Sequence, residues 1–386
     1  SYYELMINIA RNEPEIVRHE IIEDGRIWHG LKIEMEIEGR YVSGPRSVEE
    51  YIRQTAIMNP YAHITFKGTN GKLEFPRAVN QLPPKPREIK PHPHGVELGV
   101  LKRMLEFTRS KTLLGFLTND FSRVGRDSAL KVLKKAGLDP NRDPRSLELR
   151  EIEKLFKAIQ LVEFIRPPTD CLSPVGEKAL LEGMKKELPA EFFAAVTRKP
   201  EVYRGMPFQV EVAIAYGGNL PNQAKLMRFA NKVPLLYQAG DCAITKSVVS
   251  IDWSRYGLKQ SSKSLPEGPI VILVHFASVW VPFISEGKQA IAAYPIIMKE
   301  IKLGLQEVGR RLARYLAGKR RIELKRRKVQ IVERYIPEVA RALAELTEVK
   351  PEIIESKLKE IGLKKVGEIE EEIIPMPKKV EGESNE

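Results

Sequence analysis

The chain has 386 residues, of which 42% are hydrophobic, and its 63 basic and 51 acidic residues give a formal net charge of +12. This length predicts two to three domains with real cores, and the basic surplus indicates an anionic partner wherever the charge is clustered. The two cysteines, Cys171 and Cys242, lie far apart without a histidine cluster, which argues against a disulfide framework and a structural zinc site. No apolar run reaches the roughly 18 residues of a membrane span, so we expect a cytoplasmic protein without membrane contact.

Residues 1–95 are typical of an α/β piece that begins inside a domain. Alternating apolar positions predict strands at 2–10 and 28–39. Ser47, with Glu50 three residues later, predicts the start of a helix that ends before Pro60. A further strand at 63–66 leads into a glycine turn. The apolar face predicted for the second strand consists of Leu31, Ile33, Met35 and Ile37.

Proline-rich residues 81–95 predict a stiff, extended linker. The linker contains His92 and His94, whose spacing is also compatible with metal ligation. We favour the spacer interpretation and predict no metal site, because no second pair of ligands lies nearby in the sequence.

Residues 96–167 predict a helical module, with helices at 96–110 and 113–121. A tight turn at Gly125 then enters a helix with apolar positions Ala129, Leu130 and Leu133, which Gly137 ends. A further helix is predicted to start at Pro144. The pattern resembles the helix–two-turn–helix module of a ribosomal small-subunit protein and of base-excision DNA glycosylases, which contacts a nucleic-acid backbone.

Amide groups at the Gly125 turn favour phosphate, and basic side chains surround them. A purely structural helical spacer remains the alternative. The candidate DNA-binding residues of this module are Arg123, Arg126, Lys134 and Lys135.

Residues 168–300 predict a second α/β unit. It contains a helix at 176–186, a half-buried strand at 207–216, and two strands joined by a tight turn at Asn231. A nearly unbroken apolar run at 269–278 predicts a buried strand. The small loop 285–289 follows it and leads to a helix.

Lys288 in this loop is placed to reach a phosphate as a compact point charge, although a solvated lysine is the ordinary alternative.

Residues 293–345 predict one long helix, and a tail after Gly367 is expected to be disordered. A separate short amphipathic helix is predicted from Pro337. Ten Lys or Arg residues lie between 310 and 328 against one acidic residue, Glu323. DNA phosphates, a contact with another protein chain and simple solvation are the possible explanations. The candidate DNA contacts here are Lys319, Arg320, Arg321, Arg326 and Arg327.

Seven strings occur in an order that resembles the B subunits of archaeal type IIB DNA topoisomerases, the topoisomerase VI family, over roughly residues 1–345. They are YIRQTAIMNP (51–60), KPHPHG (90–95), FSRVG (121–125), TDCLSP (169–174), AYGG (215–218), RFANKVPLLY (228–237) and SEGK (285–288). The resemblance implies an α+β multidomain chain with four parts. These are the C-terminal part of a GHKL ATPase domain with its linker (1–95), a helix–two-turn–helix domain (96–167), a ribosomal-S5-domain-2-like α/β transducer (168–317) and a basic helix with its tail (318–386).

The resemblance also implies ATP and Mg²⁺ as cofactors. The partners that it implies are double-stranded DNA, the topoisomerase VI A subunit, and a second B subunit. It implies that Lys288 contacts the γ-phosphate in the neighbouring ATPase domain, with Gln289 as a weaker companion. The helix bearing the general-base Glu and the Mg²⁺-binding Asn, the adenine box and the Gly-rich lid have no counterpart in the sequence. We therefore expect a fragment or split product that does not hydrolyse ATP alone. A non-catalytic nucleic-acid-binding scaffold is the alternative.

Overall fold

The computed structural model describes residues 1–8, 13–23, 29–69, 71–347 and 349–371, with the side chains of 328, 329, 332, 333 and 362–371 left aside. The chain divides into two compact units, Ser1–Tyr41 and Val42–Glu386. The second unit contains three of the four predicted domains together with part of the first, so the domain boundaries drawn from the sequence stay predictions.

The first unit is an antiparallel hairpin of strands β1 (Tyr2–Asn8) and β2 (Glu13–Glu20). The strand predicted at 2–10 is therefore confirmed over most of its length. The strand predicted at 28–39 is wrong within its described part, since residues 29–43 have no regular structure and Leu31 is 81% exposed. Alternation makes a strand only when a neighbouring strand accepts its backbone hydrogen bonds, and no described strand pairs with this segment.

The second unit opens with helix α1 (Val48–Met58) and the hairpin β3 (Ile64–Gly68) and β4 (Gly71–Phe75). The predicted helix start is confirmed, because Ser47 Oγ accepts a hydrogen bond from the Glu50 N–H at 3.1 Å. The proline-rich segment that follows is anchored rather than free. His92 Nε2 bonds the Ile165 carbonyl at 3.2 Å and His94 Nε2 bonds the Val162 carbonyl at 2.9 Å, so both rings already have partners.

The helical module consists of α2 (Leu98–Phe107), α3 (Leu113–Asp120), α4 (Arg126–Ala136) and α5 (Leu149–Gln160). Gly137 ends α4 in the left-handed conformation with φ +67°, as predicted. The predicted start at Pro144 is wrong, because Pro144–Ser146 forms a separate 3-10 turn and α5 begins after a capping box of Glu148 and Glu151. The core position predicted for Leu130 is wrong, since Leu130 faces outward and Val132, which was not predicted, lies in the core instead.

A six-stranded sheet forms the centre of the following region. Its strands are β5 (Phe192–Thr197), β6 (Glu201–Tyr203), β7 (Met206–Tyr216), β8 (Lys225–Ala230), β9 (Val233–Pro234) and β12 (Ile270–Ser278), and a small separate ribbon pairs β10 (Lys259–Gln260) with β11 (Pro266–Glu267). The spatial order is β5-β7-β12-β8-β9, with β6 on β7. Strand β12 runs antiparallel to β7 and parallel to β8. The predicted buried strand at 269–278 is thus the centre of the sheet.

Helices cover both faces of this sheet. Helix α6 (Glu177–Glu187) lies on one face, and α7 (Ala243–Val249) and α8 (Pro295–Thr347) lie on the other. The prediction of a half-buried strand at 207–216 is wrong, since β7 is buried on both faces except at its ends. Its polar residues alternate as in a solvated strand, but α6 covers the face on which they lie.

Helix α8 confirms the long predicted helix and continues through Pro337, where a separate short helix was predicted. Helix α9 (Pro351–Glu371) follows and packs against α8. Residues up to Glu371 are helical where a disordered tail after Gly367 was expected, and residues 372–386 lie outside the described part. None of the described helices is both long and apolar enough to cross a membrane.

Candidate phosphate-sensing loop and nucleic-acid interface

The loop that carries Lys288 is braced at its base. An isolated bridge pairs Phe283 with Ile291, and the Ile284 N–H donates to the Ala290 carbonyl at 3.0 Å. At the tip the Lys288 N–H donates to the Ser285 carbonyl at 3.1 Å, and Lys288 takes φ +53°. Its side chain is exposed and makes no polar contact with any residue that the structure describes. The loop therefore presents the Lys288 ammonium group on a short hairpin, without a partner in the described part of the chain.

Gln289 points toward the protein rather than outward with Lys288. Its side-chain Oε1 accepts a hydrogen bond from the Tyr237 N–H at 3.4 Å. Its backbone carbonyl accepts from Arg228, a buried residue that the sequence analysis did not single out. Gln289 thus anchors the loop, and its side-chain carbonyl has a partner within the protein.

A second buried polar group, also missed from the sequence, lies on the other face of the sheet. The carboxylate of Glu211 is fully buried and accepts from the N–H groups of Val175 (2.8 Å) and Gly176 (2.7 Å) and from Thr197 Oγ1 (2.8 Å). His275 Nδ1 lies 2.8 Å from the same carboxylate, and its Nε2 accepts from the Lys232 N–H at 3.0 Å. Since Nε2 accepts, the proton of this ring belongs on Nδ1 and points at Glu211.

These contacts decide the charge of Glu211. Burial by itself raises the pKa of a carboxylic acid, but the hydrogen bonds from His275 and from the amide groups of Val175 and Gly176 outweigh it, so the pKa of Glu211 is lowered. Nearby, burial lowers the pKa of Lys232, whose Nζ donates to Ser173 Oγ at 2.8 Å. The network joins the Asn231 turn to the start of α6, and its role is to hold the sheet and α6 together.

In the helical module, the predicted DNA-binding residues form two groups rather than one. Arg123 (φ +59°) and Arg126 flank Gly125 at the start of α4, whereas Lys134 and Lys135 lie in its last turn, about 12 Å away along the axis. Arg123 and Arg126 are exposed and make no polar contact with described residues. The Lys135 Nζ donates to the Leu161 carbonyl at 3.0 Å, so this lysine also caps α5.

Some basic side chains of α8 have hydrogen-bond or ion-pair partners within the protein, and others do not within its described part. Lys319 pairs with Glu191, and Arg320 donates to the Gly257 carbonyl at 3.1 Å. Arg327 pairs with Glu323 at 2.8 Å. Arg321 is exposed and makes no polar contact with the described part of the chain, while Arg326 does have a partner. A cleft of about 500 Å³ lies along this stretch, lined by Ala317, Arg320, Arg321, Leu324 and Lys325.

The Lys319–Glu191 pair belongs to a larger polar cluster at the edge of the sheet. The hydrogen bond from Lys319 lowers the pKa of Glu191. Burial, and the hydrogen bond with Glu191, raise the pKa of Tyr315 to about 12, and the Tyr315 ring stacks on Phe192. Lys319 therefore stabilises the junction between β5 and α8 and is the least available of the five predicted DNA contacts on this helix.

Known proteins are similar to this chain over most of its length. Residues 167–328 match the family described as the transducer of the topoisomerase VI B subunit. The chain is 47% identical over 332 residues to the B subunit of type 2 DNA topoisomerase 6 from Methanosarcina mazei, and the match covers 84% of this chain and 53% of that protein. It is 48% identical over 320 residues to the corresponding protein of Archaeoglobus fulgidus, with 82% and 53% covered.

A more distant relative, the B subunit of type 2 DNA topoisomerase 6 from Saccharolobus islandicus, is 38% identical over 324 residues, with 83% of this chain and 60% of that protein covered. The chain thus spans little more than half the length of the curated relatives that it matches. The chain belongs to the family of archaeal topoisomerase 6 B subunits, and its residues 167–328 form the transducer domain of that family.

Proposed function

We propose that this chain works as the transducer-containing part of a topoisomerase VI B subunit, in ATP-dependent passage of one DNA duplex through another together with the catalytic A subunit. The observation that carries the proposal is Lys288, an exposed ammonium group with no polar partner among the described residues, on a loop between the central strand and α8. A cation that touches the terminal phosphate interacts differently with ATP and with ADP. It can therefore bias a two-state gate between paired B subunits.

Within this proposal the nucleotide lies in a neighbouring ATPase domain, with its Mg²⁺ bound there. The described residues hold no group of three or more His, Cys, Asp or Glu side chains that could bind a metal. Lys288 contributes the phosphate contact, and α8 carries the change of state away from the sheet. This chain is not expected to hydrolyse ATP alone.

Double-stranded DNA is the proposed partner of the basic surfaces. Arg123 and Arg126 flank the first turn of α4, where free N–H groups also favour phosphate, and Arg321 points outward from α8. Such contacts bind phosphates without reading bases, so affinity is expected to depend on salt and little on sequence. The exposed apolar side chains of the distal α8, such as Tyr335 and Leu346, support an additional contact with the A subunit.

A scaffold that only binds nucleic acid is the competing function, and Lys288 separates the two. In the enzyme reconstituted from complete A and B subunits, Lys288→Ala is expected to abolish ATP-coupled strand passage while the fold is retained. Lys263→Ala is the matched control, since Lys263 is also an exposed lysine at a turn tip with φ +55°. Unchanged strand passage in the Lys288 variant would favour the scaffold.

The DNA contacts are tested by salt titration. Replacing Arg320, Arg321, Arg326 and Arg327 by Gln is expected to reduce the slope of log affinity against log salt by up to about 3 to 4. The control replaces Lys199, an exposed lysine that lies outside α8 and outside the helical module. An unchanged slope in the arginine variant would exclude these residues as phosphate contacts and leave a protein–protein interface as their role.

A further inference from the structure

Arg228 is a buried cation that has no acidic partner among the described residues. It lies on β8, is 3% exposed, and faces the side of the sheet covered by α7 and α8, where its strand neighbour is Val274. Within the described chain no carboxylate is close enough to pair with its guanidinium, which donates only to backbone carbonyls. A buried charge is unfavourable unless its hydrogen bonds are made, so a side chain of this kind calls for a reason beyond packing.

The three acceptors of Arg228 belong to two different loops. Nη2 donates to the carbonyls of Leu235 (2.7 Å) and Tyr237 (2.8 Å), in the segment that leaves β9. Nη1 donates to the carbonyl of Gln289 at 3.4 Å, one residue after Lys288. The planar, forked guanidinium can hold several acceptors in a fixed arrangement, which an ammonium group cannot. Arg228 therefore links the Lys288 loop to the segment 235–238.

Further contacts join the same two loops. The Tyr237 N–H donates to Gln289 Oε1 at 3.4 Å, and Ser285 Oγ donates to Gln238 Oε1 at 3.3 Å. Gln238 (φ +51°) and Lys288 (φ +53°) both take a left-handed backbone conformation that residues other than glycine rarely adopt. The Lys288 loop has backbone hydrogen bonds of its own, and the contacts between the two loops add to the interactions that hold these uncommon conformations.

We infer that Arg228 is a positioning residue for Lys288: its guanidinium fixes the Gln289 carbonyl, and through it the loop, before a phosphate arrives. This inference rests on the proposed role of Lys288. Pre-ordering the loop removes part of the entropy that a mobile loop loses on meeting its ligand. The bond to Gln289 is the longest of the three, so Arg228 is held firmly by the segment 235–238 and more loosely by the Lys288 loop.

The first test needs no nucleotide. An endoproteinase that cuts after lysine cleaves the exposed Lys288–Gln289 bond only when the loop opens. Arg228→Lys keeps the charge but loses the fork, and Arg228→Met removes the charge. Both are expected to speed cleavage after Lys288 by about tenfold or more, as loss of a charged hydrogen bond predicts. Cleavage after Lys263, in a turn that Arg228 does not touch, is expected to stay within about twofold.

Arg311→Met is the matched control. Arg311 also donates to a backbone carbonyl, that of Ala195 at 2.7 Å, but it contacts neither loop. It is expected to lower the melting temperature without changing the ratio of cleavage after Lys288 to cleavage after Lys263. If the Arg228 variants leave that ratio unchanged, or raise cleavage at both lysines equally, Arg228 is structural only and the inference is overturned.

The second test separates the inference from the proposed function. In the enzyme reconstituted from complete A and B subunits, Arg228→Lys is expected to weaken the binding of a non-hydrolysable ATP analogue, and to have no further effect on that binding on a Lys288→Ala background. An additive loss in the double variant would show that Arg228 acts by another route and would overturn the inference. If Lys288→Ala alone changes nothing, the proposed function fails, yet the cleavage ratio still decides whether Arg228 holds the loop.

Discussion

The sheet domain and the distal half of α8 use charged residues in opposite ways. In the sheet domain Glu211, Arg228 and His275 are buried, and each has hydrogen-bond partners. In residues 317–347 of α8 most of the described basic side chains are exposed, and only some pair locally, as Arg327 does with Glu323. The first set decides how the elements pack, whereas the second leaves charge available to a partner.

The division falls within a single helix. The proximal half of α8 packs against the sheet through the residues Ile297, Ile301, Leu305, Val308, Leu312 and Leu316. Its charges are paired at that contact, since Arg198 bonds Glu300 at 3.0 Å and Arg311 bonds Glu307 at 3.0 Å. The basic run from Arg310 to Lys328 therefore spans two environments, and its first members, such as Arg311, stabilise the fold. Charge density in a sequence does not distinguish these two uses.

The largest expected effect is the loss of the buried carboxylate. Glu211→Ala leaves His275, Thr197 and two amide groups without their acceptor, so we expect it to lower the free energy of unfolding by about 3–5 kcal/mol. Denaturant unfolding followed by the fluorescence of buried Trp253 measures this. Glu323→Ala in the distal half of α8 is the control, with an expected change below about 0.5 kcal/mol. A change of under about 1 kcal/mol for Glu211→Ala would contradict the described network.

Acid is expected to have the next largest effect, through the same carboxylate. The pKa of Glu211 is lowered in the folded state, so its contribution to stability is fully present above its ordinary value of 4.5 and is lost as the pH falls below it. Melting temperatures measured from about pH 7 to about pH 3 are expected to fall more steeply for the wild type than for Glu211→Gln, which has no carboxylate to protonate. Parallel curves would show that Glu211 is not ionised in the fold.

Alanine substitutions at two glycines of α8 compare the packing around its two halves directly. A Cβ at Gly304 would lie 2.7 Å from Val212 Cγ2, whereas one at Gly318 would have no atom within 4 Å. We expect Gly304→Ala to destabilise by about 1–3 kcal/mol through overpacking, and Gly318→Ala to stabilise by up to about 1 kcal/mol through helix propensity. Thermal unfolding measures both. Adding Val212→Ala is expected to relieve the Gly304 variant, and a lack of relief would place the strain elsewhere.

The smallest expected effect concerns an outward-facing charge. Arg321→Gln is expected to change the free energy of unfolding by less than about 0.5 kcal/mol, since this side chain makes no polar contact within the described residues. Arg311→Gln, on the same helix but bonded to the sheet, is the comparison in the same denaturation assay. Equal losses for the two variants would erase the distinction between the halves of α8.

Local signals in the sequence predicted local structure well. The Ser47 cap, the Gly137 stop, the Asn231 turn and the length of α8 are each set by residues next to them in the chain, and each is confirmed. The resemblance drawn from short strings is also supported, since the transducer family matches residues 167–328.

What the sequence could not show depends on distant partners. Glu211 alternates with apolar neighbours on β7 and is indistinguishable from a solvent-facing residue until α6 covers that face. Arg228 gives no local sign that its acceptors lie up to 61 positions away, at Gln289. The alternation of apolar residues from Leu31 to Ile37 predicts a strand, but this segment forms none, because no described strand pairs with it.

The continuity of α8 has a mechanical consequence. Its proximal half is fixed to the sheet domain, where Arg320 still donates to the Gly257 carbonyl, and the helix then runs on to residue 347. At about 1.5 Å per residue the part beyond Arg320, against which α9 packs, is about 40 Å long. A tilt of about 10° at its base would displace its far end by about 7 Å. A lever arm of this length converts a small rearrangement at the sheet into a displacement wider than a helix radius, without any change in the arm's own structure.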